Sequence, residues 1–278
     1  RACLTRIAQL EPQVQAWAWF DPERAMACAG QADAQYLSGK SLGPLLGIPV
    51  GIKDVFNTAG IPTAMGSAVF AGNVPGESAE AVGRLERAGA FVMGKTVTAE
   101  FAFLTPGKTR NPWTPAHTPG GSSSGSAAAV AAGFVPAAIG TQTNGSVIRP
   151  AAFCGVVGFK PSLGLISNRG AWPFSPSLDQ VGTFTRSVAD AALLAAQLVE
   201  NPHDLAAAIA PLNAAPRLAA VRSPVWHLAT VAQQRKYTDN IAALSKAGAL
   251  IEQIELPAAF GEAHRAVRTI MLFEAAHG

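Results

Sequence analysis

Along most of its length the chain alternates between two spacings of apolar positions. Pro22 to Leu37 is Ala-rich with a helical period, whereas Ile48 to Val55 is a short apolar run bounded by glycine and proline, the mark of a buried strand. Ser78 to Ala88 reads as a helix stopped by Gly89, and Ala90 to Met93 as the next strand. The alternation continues with helices over Ser126 to Ala132, Val188 to Val199, Val231 to Ala247 and Ala263 to Ala276. Strands are predicted over Val135 to Ile139, Leu218 to Val221 and Ala249 to Leu256. Such a pattern predicts an α/β protein with a largely parallel central sheet, whose ligands gather at loops leaving the strand ends.

Composition narrows the range of functions. Hydrophobic residues make up 49% of the 278 positions and charged residues 14%, which excludes a disordered chain. Net charge is +3, but Lys and Arg are scattered without basic runs or interleaved aromatics, so no nucleic-acid partner is expected. Cys3, Cys28 and Cys154 form no C-x-x-C pair, which argues against a disulfide framework and against a zinc site and fits a reducing, cytoplasmic compartment. No apolar run approaches the length of about 18 residues that a membrane span needs, so no membrane partner is expected either. The chain opens on Arg1 and stops just after a helical run; it is read as one domain over residues 1–278, truncated at both ends.

Two segments, Leu104 to Ser126 and Pro161 to Gly182, are too rich in Gly, Pro, Ser, Thr and Asn for either period, and long loops of this kind carry function or are disordered. The densest chemistry runs from Gly120 to Ser162. Four serines lie among glycines just before a predicted helix, and Thr141, Thr143 and Ser146 surround Asn144 and Gly145 after a predicted strand. A Gly/Ser linker explains one such cluster; two clusters, each abutting a core-like element, point instead to backbone N–H groups turned toward a ligand.

These stretches resemble the amidase signature family. Gly120 to Ser126 is similar to its Gly-Gly-Ser-Ser-Gly-Gly-Ser turn, Gly140 to Ser146 to Gly-Thr-Asp-Thr-Gly-Gly-Ser, and Pro150 to Pro161 to Pro-Ala-x-x-Cys-Gly-x-x-Gly-x-Lys-Pro. Upstream, Gly47 to Asp54 matches Gly-Ile-Pro-x-x-x-Lys-Asp. The resemblance covers at least residues 47–162. It implies an amidase-signature α/β fold with a mixed central sheet flanked by helices on both faces. It also implies a Ser-Ser-Lys triad in which Ser146 is the acyl-forming nucleophile, Ser122 the bridging serine and Lys53 the base. The two serines lie 24 positions apart, as in the family, and the peptide bond between Gly121 and Ser122 is expected to be cis. Backbone N–H groups of Thr143, Asn144, Gly145 and Ser146 would form the oxyanion hole, with no metal and no cofactor.

The residue types suit that chemistry. A serine hydroxyl needs a base within hydrogen-bond reach, and lysine serves as one only when its pKa falls from about 10.4 toward neutrality. Lys53 stands in the apolar run Ile48, Val50, Ile52 and Val55, which supplies desolvation; taken without the downstream motifs it reads more readily as a strand-end lysine whose ammonium reaches solvent or pairs with Asp54. The sequence departs from the family where Asn144 replaces a glycine, Gln142 an aspartate and Ser124 a glycine. Asparagine tolerates a left-handed backbone, so Asn144 is expected to preserve the turn while narrowing the pocket. Arg149 stands three residues after Ser146, a shifted form that resembles members acting on small, carboxylate-bearing amides. It is read either as a fork for a substrate carboxylate or as an arginine tied to backbone carbonyls or a buried aspartate.

Other motifs fit less well. Gly89 to Thr96 matches the phosphate-loop pattern, but its middle is an apolar strand. Gly121 to Gly125 matches the nucleophile elbow centred on Ser123, but Pro115 and Pro119 precede it where a strand is needed. His117, His203, His227, His264 and His277 have no evident acidic partner, and Cys154 sits among apolar neighbours as a structural cysteine would. The expectation is an amidohydrolase cleaving a carbon–nitrogen amide bond of a small, carboxylate-bearing substrate through a serine acyl-enzyme. It acts on a small-molecule amide, and a homodimer is compatible with it. The alternatives are the amidase component of a tRNA-dependent amidotransferase and a catalytically inactive binding protein of the same fold.

Overall fold

The computed structural model describes residues 1–39, 43–200, 205, 209–211 and 213–277. These divide into two compact units, one of residues 1–209 and 274–278, the other of residues 210–273. The first holds α1 (Ala2–Val14), β1 (Trp17–Phe20), α2 (Pro22–Leu37), β2 (Pro49–Lys53), α3 (Glu80–Arg87) and β3 (Phe91–Thr96). It continues with α4 (Ser124–Ala131), β4 (Ala137–Gln142), α5 (Ile148–Cys154), β5 (Val157–Phe159), β6 (Gln180–Thr185) and α6 (Val188–Leu198). Local chemistry explains the ends: Asp21 accepts the N–H groups of Glu23 and Arg24 at 2.9 and 3.0 Å to start α2 on Pro22, and Gly155, at φ 67°, closes α5.

The six strands form one sheet in the order β1-β3-β2-β4-β6-β5. β2 runs parallel to both β3 and β4, while β1–β3, β4–β6 and β5–β6 are antiparallel. The sheet is therefore mixed, as the family resemblance implies and not largely parallel as the alternation of elements predicts. The difference lies in the edge strand β1, antiparallel to β3, and in β6, whose first residues fall in the segment read as a loop and whose antiparallel return brings Gln180 opposite Gln142. Helices cover both faces. On one, Val50, Ile52 and Ile139 pack with Val82 and Leu85 of α3 and Leu194 and Leu198 of α6. On the other, Ala138 and Phe184 pack with Ala127 to Val130 of α4 and with Ala151 and Cys154 of α5. Burying each large side chain of these two layers contributes about 1.5–3 kcal/mol.

In α4 every residue from Ser124 to Val130 is buried, so it is a helix of small side chains enclosed on all sides. Its start can approach the sheet only because two glycines give way: a Cβ on Gly125 would lie 2.3 Å from Val97 N, and one on Gly140 would lie 2.6 Å from Ser123 Oγ. The second unit contains the parallel pair β7 (Arg217–Val221) and β8 (Leu250–Ile254) with α7 (Val231–Lys246) and most of α8 (Ala259–Ala275). Among the described residues no helix is long and apolar enough to cross a membrane.

Candidate active site

Lys53 is the last residue of β2 and is wholly buried. The strand aims its side chain at the start of α4, where Nζ lies 2.8 Å from Ser122 Oγ, and toward β4, where it lies 2.8 Å from Thr141 Oγ1. Removal from water pushes its pKa down to about 7, against which the charge of Asp179 acts to raise it. The neutral amine that base chemistry requires is thus accessible near neutral pH. Thr141 belongs to the polar cluster that stands out in the sequence, but nothing there assigns it a role; only the approach of β4 to β2 reveals it as the second partner of the amine.

Ser122 is buried and is preceded by the cis peptide bond at Gly121–Ser122. Its carbonyl accepts the N–H of Ala99 at 3.0 Å. The next residue, Ser123, is fully buried; its N–H points to the carbonyl of Ser146 at 3.4 Å and its hydroxyl donates to Thr141 O at 3.2 Å. The chain at Ser146 therefore lies directly beside the chain at Ser122. Ser123, spent on a main-chain carbonyl and preceded by no strand, has neither the exposure nor the setting of an elbow nucleophile.

Ser146 occupies the turn between β4 and α5. Gln142 shapes that turn: its Oε1 accepts the N–H groups of Val147 and Ile148 at 2.8 and 2.9 Å, capping α5 with an amide oxygen where the family pattern has a carboxylate. Among the described residues the N–H groups of Gly145 and Ser146 have no backbone acceptor. Thr143 is held by a hydrogen bond from its hydroxyl to Asp179. Asn144 is exposed and keeps a negative φ, so the left-handed turn expected of it does not form; among the described residues the positive-φ non-glycine positions are Gln15, Met65, Phe101 and Ala102.

Arg149, in the first turn of α5, is exposed, and its Nε donates to Gly121 O at 3.0 Å. The tie to a backbone carbonyl is thus present, yet the guanidinium also lies against the turn, since a Cβ on Gly145 would stand 3.2 Å from Nη1. It lines a cleft of about 260 Å³ with Gly120, Gly121, Ser124, Phe103, Leu104 and Phe153. Asp179, opposite Thr143 at the head of β6, carries no signal in the sequence.

The residues of the rejected motifs are engaged elsewhere. Gly94, Lys95 and Thr96 form the end of β3, and Lys95 Nζ is buried 3.3 Å from Asp54 Oδ1. Cys154 is buried, which pushes its thiol up to about 12. His117, His227, His264 and His277 are exposed, and His203 lies outside the described residues.

Comparison with known proteins places the fold in a family. The Amidase family model matches residues 1–278. The chain is 46% identical over 219 residues to a glutamyl-tRNA(Gln) amidotransferase subunit of Acidothermus cellulolyticus, covering 76% of this chain and 43% of that protein. It is 48% identical over 199 residues to the same subunit of Chloroflexus aurantiacus, covering 69% and 41%. The chain thus spans less than half the length of these relatives. Among solved structures, the peptide amidase of Stenotrophomonas maltophilia superposes with a TM-score of 0.86 at 34% identity, covering all of this chain and 62% of that one. The corresponding glutamyl-tRNA(Gln) amidotransferase subunit of Thermotoga maritima superposes with a TM-score of 0.81 at 31% identity, covering 99% and 62%. On the family match and this shared fold, the chain belongs to the amidase family.

Proposed function

We propose that the protein hydrolyses a small primary amide through an acyl-enzyme on Ser146, with Ser122 as proton relay and Lys53 as base. The observation that carries this reading is the buried Lys53 amine, 2.8 Å from Ser122 Oγ and with its pKa near 7. In the forward step Ser146 Oγ attacks the amide carbon, its proton passes to Ser122, and the proton of Ser122 passes to neutral Lys53. The negative oxygen of the tetrahedral intermediate is received by the N–H groups of the turn at Thr143 to Ser146; each such donor is worth about 3 kcal/mol in rate. Return of the proton along the same route releases ammonia, and water then cleaves the acyl-enzyme by the same relay to give a carboxylic acid.

Arg149 at the cleft supports a substrate that bears a carboxylate as well as the amide, because a guanidinium that has given Nε to Gly121 keeps its two terminal nitrogens for a bidentate contact. Glutamine has both groups. The identity of 46–48% with amidotransferase subunits favours the reading in which the enzyme frees ammonia from glutamine for a partner protein over that of a free-standing amidase.

Both readings are tested on the full-length protein by intact mass after a fluorophosphonate and by ammonia release from glutamine and from small uncharged amides. An adduct on Ser146 is expected; modification of Ser123 or Cys154 in its place overturns the nucleophile. Rapid release from glutamine by the protein alone, undiminished by the lack of partners, counts against the amidotransferase reading. Arg149→Lys is expected to slow the carboxylated amide about tenfold more than the uncharged one, and equal losses on both remove the carboxylate.

A further inference from the structure

Asp179 is buried immediately before β6, and the pairing of Gln180 with Gln142 sets it opposite Thr143 at the edge of the site. One carboxylate oxygen accepts the Thr143 hydroxyl. The other accepts the N–H groups of Phe174 and Ser175, each at 2.8 Å. Its own backbone is pinned in turn: its N–H donates to Ser175 O at 2.8 Å, and its carbonyl accepts the Asn168 side-chain amide at 2.6 Å. Among the described residues it has no cation within ion-pairing distance, although burying a carboxylate without one is costly. A buried anion held solely by neutral donors, one of them on the turn that faces the substrate, is explained by what it does for the site.

We propose that Asp179 is a positioning residue of the amide-hydrolysing site, one that fixes the Thr143 end of the oxyanion turn. The inference rests on the acyl-enzyme reading above and deepens it. Two further buried charged groups, Asp54 just after β2 and Lys95 on β3, lie outside the contacts of the Lys53 amine. Asp54 and Lys95 pair with each other, whereas the charge of Asp179 acts on Lys53 and favours its protonated form. That form is the one the relay passes through after each proton transfer from Ser122. Asp179 therefore stabilises the loaded base, at the expense of a higher pH for the onset of activity.

The test is the rate of fluorophosphonate labelling of Ser146 against pH in the full-length protein, which needs no knowledge of the substrate. Wild-type labelling rises with pH as Lys53 loses its proton. Asp179→Asn removes the charge, so the rise moves to lower pH and the ratio of rates at pH 6 and pH 8.5 increases about threefold. Thr143→Val keeps the charge but frees the turn, so the plateau falls about tenfold while the midpoint stays, and Thr143→Ser restores it. An Asp179→Asn protein with the wild-type ratio, or a Thr143→Val protein with the wild-type plateau, overturns the role. Should Asp179→Asn not accumulate as folded protein, Thr143→Val decides alone. Wild-type protein that takes no adduct on Ser146 brings down the acyl-enzyme reading itself, an outcome distinct from an adduct that both variants leave unchanged.

Discussion

Lys53 Nζ lies 2.8 Å from Ser122 Oγ at a position where the lysine has no exposure to water. The contact links a strand end to a helix start 69 residues later, and burial sets the lysine's pKa near 7. If the neutral amine is the base, kcat/KM rises with pH through about 7 and then levels. A pH–rate profile flat from pH 6 to 8.5, or one that falls across that range, contradicts the assignment.

The same burial has a cost in stability. Between the folded value near 7 and the ordinary 10.5, the unfolded lysine binds a proton that the folded one does not. Folding is therefore penalised most below pH 7, and the penalty fades as pH rises toward 10.5; its full size is on the order of 3–5 kcal/mol. Lys53→Met abolishes the penalty along with the proposed base. Its activity is expected to fall about 10³-fold while its stability at pH 6.5, measured by urea unfolding, matches or exceeds that of wild type. The advantage shrinks at pH 9.5; a variant less stable than wild type at pH 6.5 refutes the sign.

Lys95 and Asp54 form the other buried charge pair, with Lys95 Nζ also donating to Phe56 O at 2.8 Å and to Thr63 Oγ1 at 2.5 Å. Removing one partner leaves an uncompensated charge in the core, so Lys95→Met costs about 3–5 kcal/mol. The double change Lys95→Met with Asp54→Asn is expected to recover more than half of that loss. Additive losses in the cycle argue that the two charges do not act as a pair.

Much of this is legible in the sequence, and what is not has identifiable causes. Helix α2 runs over Pro22–Leu37 as the periodicity predicts, because Asp21 and Pro22 mark its start and its Ala-rich face is unambiguous. Helices α1 and α5 escape the pattern since each contains a proline, Pro12 and Pro150, and α5 is only seven residues long. β1 is four residues and β5 three, too short to show a period. β6 mixes Gln180, Thr183 and Thr185 with Val181 and Phe184, yet all of it is buried, the side chains of Gln180 and Thr185 being satisfied by hydrogen bonds to main-chain carbonyls. Without β6 the alternation of elements alone does not show the antiparallel return or single out Asp179: an aspartate in a Ser-Leu-Asp-Gln loop means nothing until strand pairing sets it against Thr143. The serines and Lys53 are picked out because the motifs that hold them resemble those of the amidase signature family.

Cys154 illustrates how burial silences a reactive group. Its thiol has no exposure and is pushed up to about 12, whereas Cys3 and Cys28 are only half-buried. Iodoacetamide at pH 8 is expected to alkylate Cys3 and Cys28 in the native protein and to spare Cys154 until denaturant is added, as peptide mass mapping can show. Prompt native-state labelling of Cys154 contradicts the packing of α5 against the sheet.

The tightest constraint on the site is backbone proximity at the start of α4. A methyl group on Gly125 would fall 2.3 Å from Val97 N, 2.4 Å from Ala16 O and 2.9 Å from Val97 O, all main-chain atoms. Flexible side chains could yield; these atoms are tied into the bonds Val97 N to Ala16 O and Gly125 N to Val97 O, both 2.9 Å. Accommodating the methyl requires α4 to withdraw from β3, and α4 begins two residues after Ser122, so Ser122 withdraws from Lys53 with it. Gly125→Ala is expected to lose about 3 kcal/mol or more of stability and, in whatever folds, to lose fluorophosphonate labelling of Ser146. By contrast, Gly121 has nothing within 4 Å of the added methyl. Gly76 is equally open and lies in a loop away from the serine clusters, so Gly76→Ala serves as the control, expected to keep both stability and labelling. A Gly125→Ala protein that matches that control in both measurements would show that the close approach of α4 is not what holds the two serines and the lysine together.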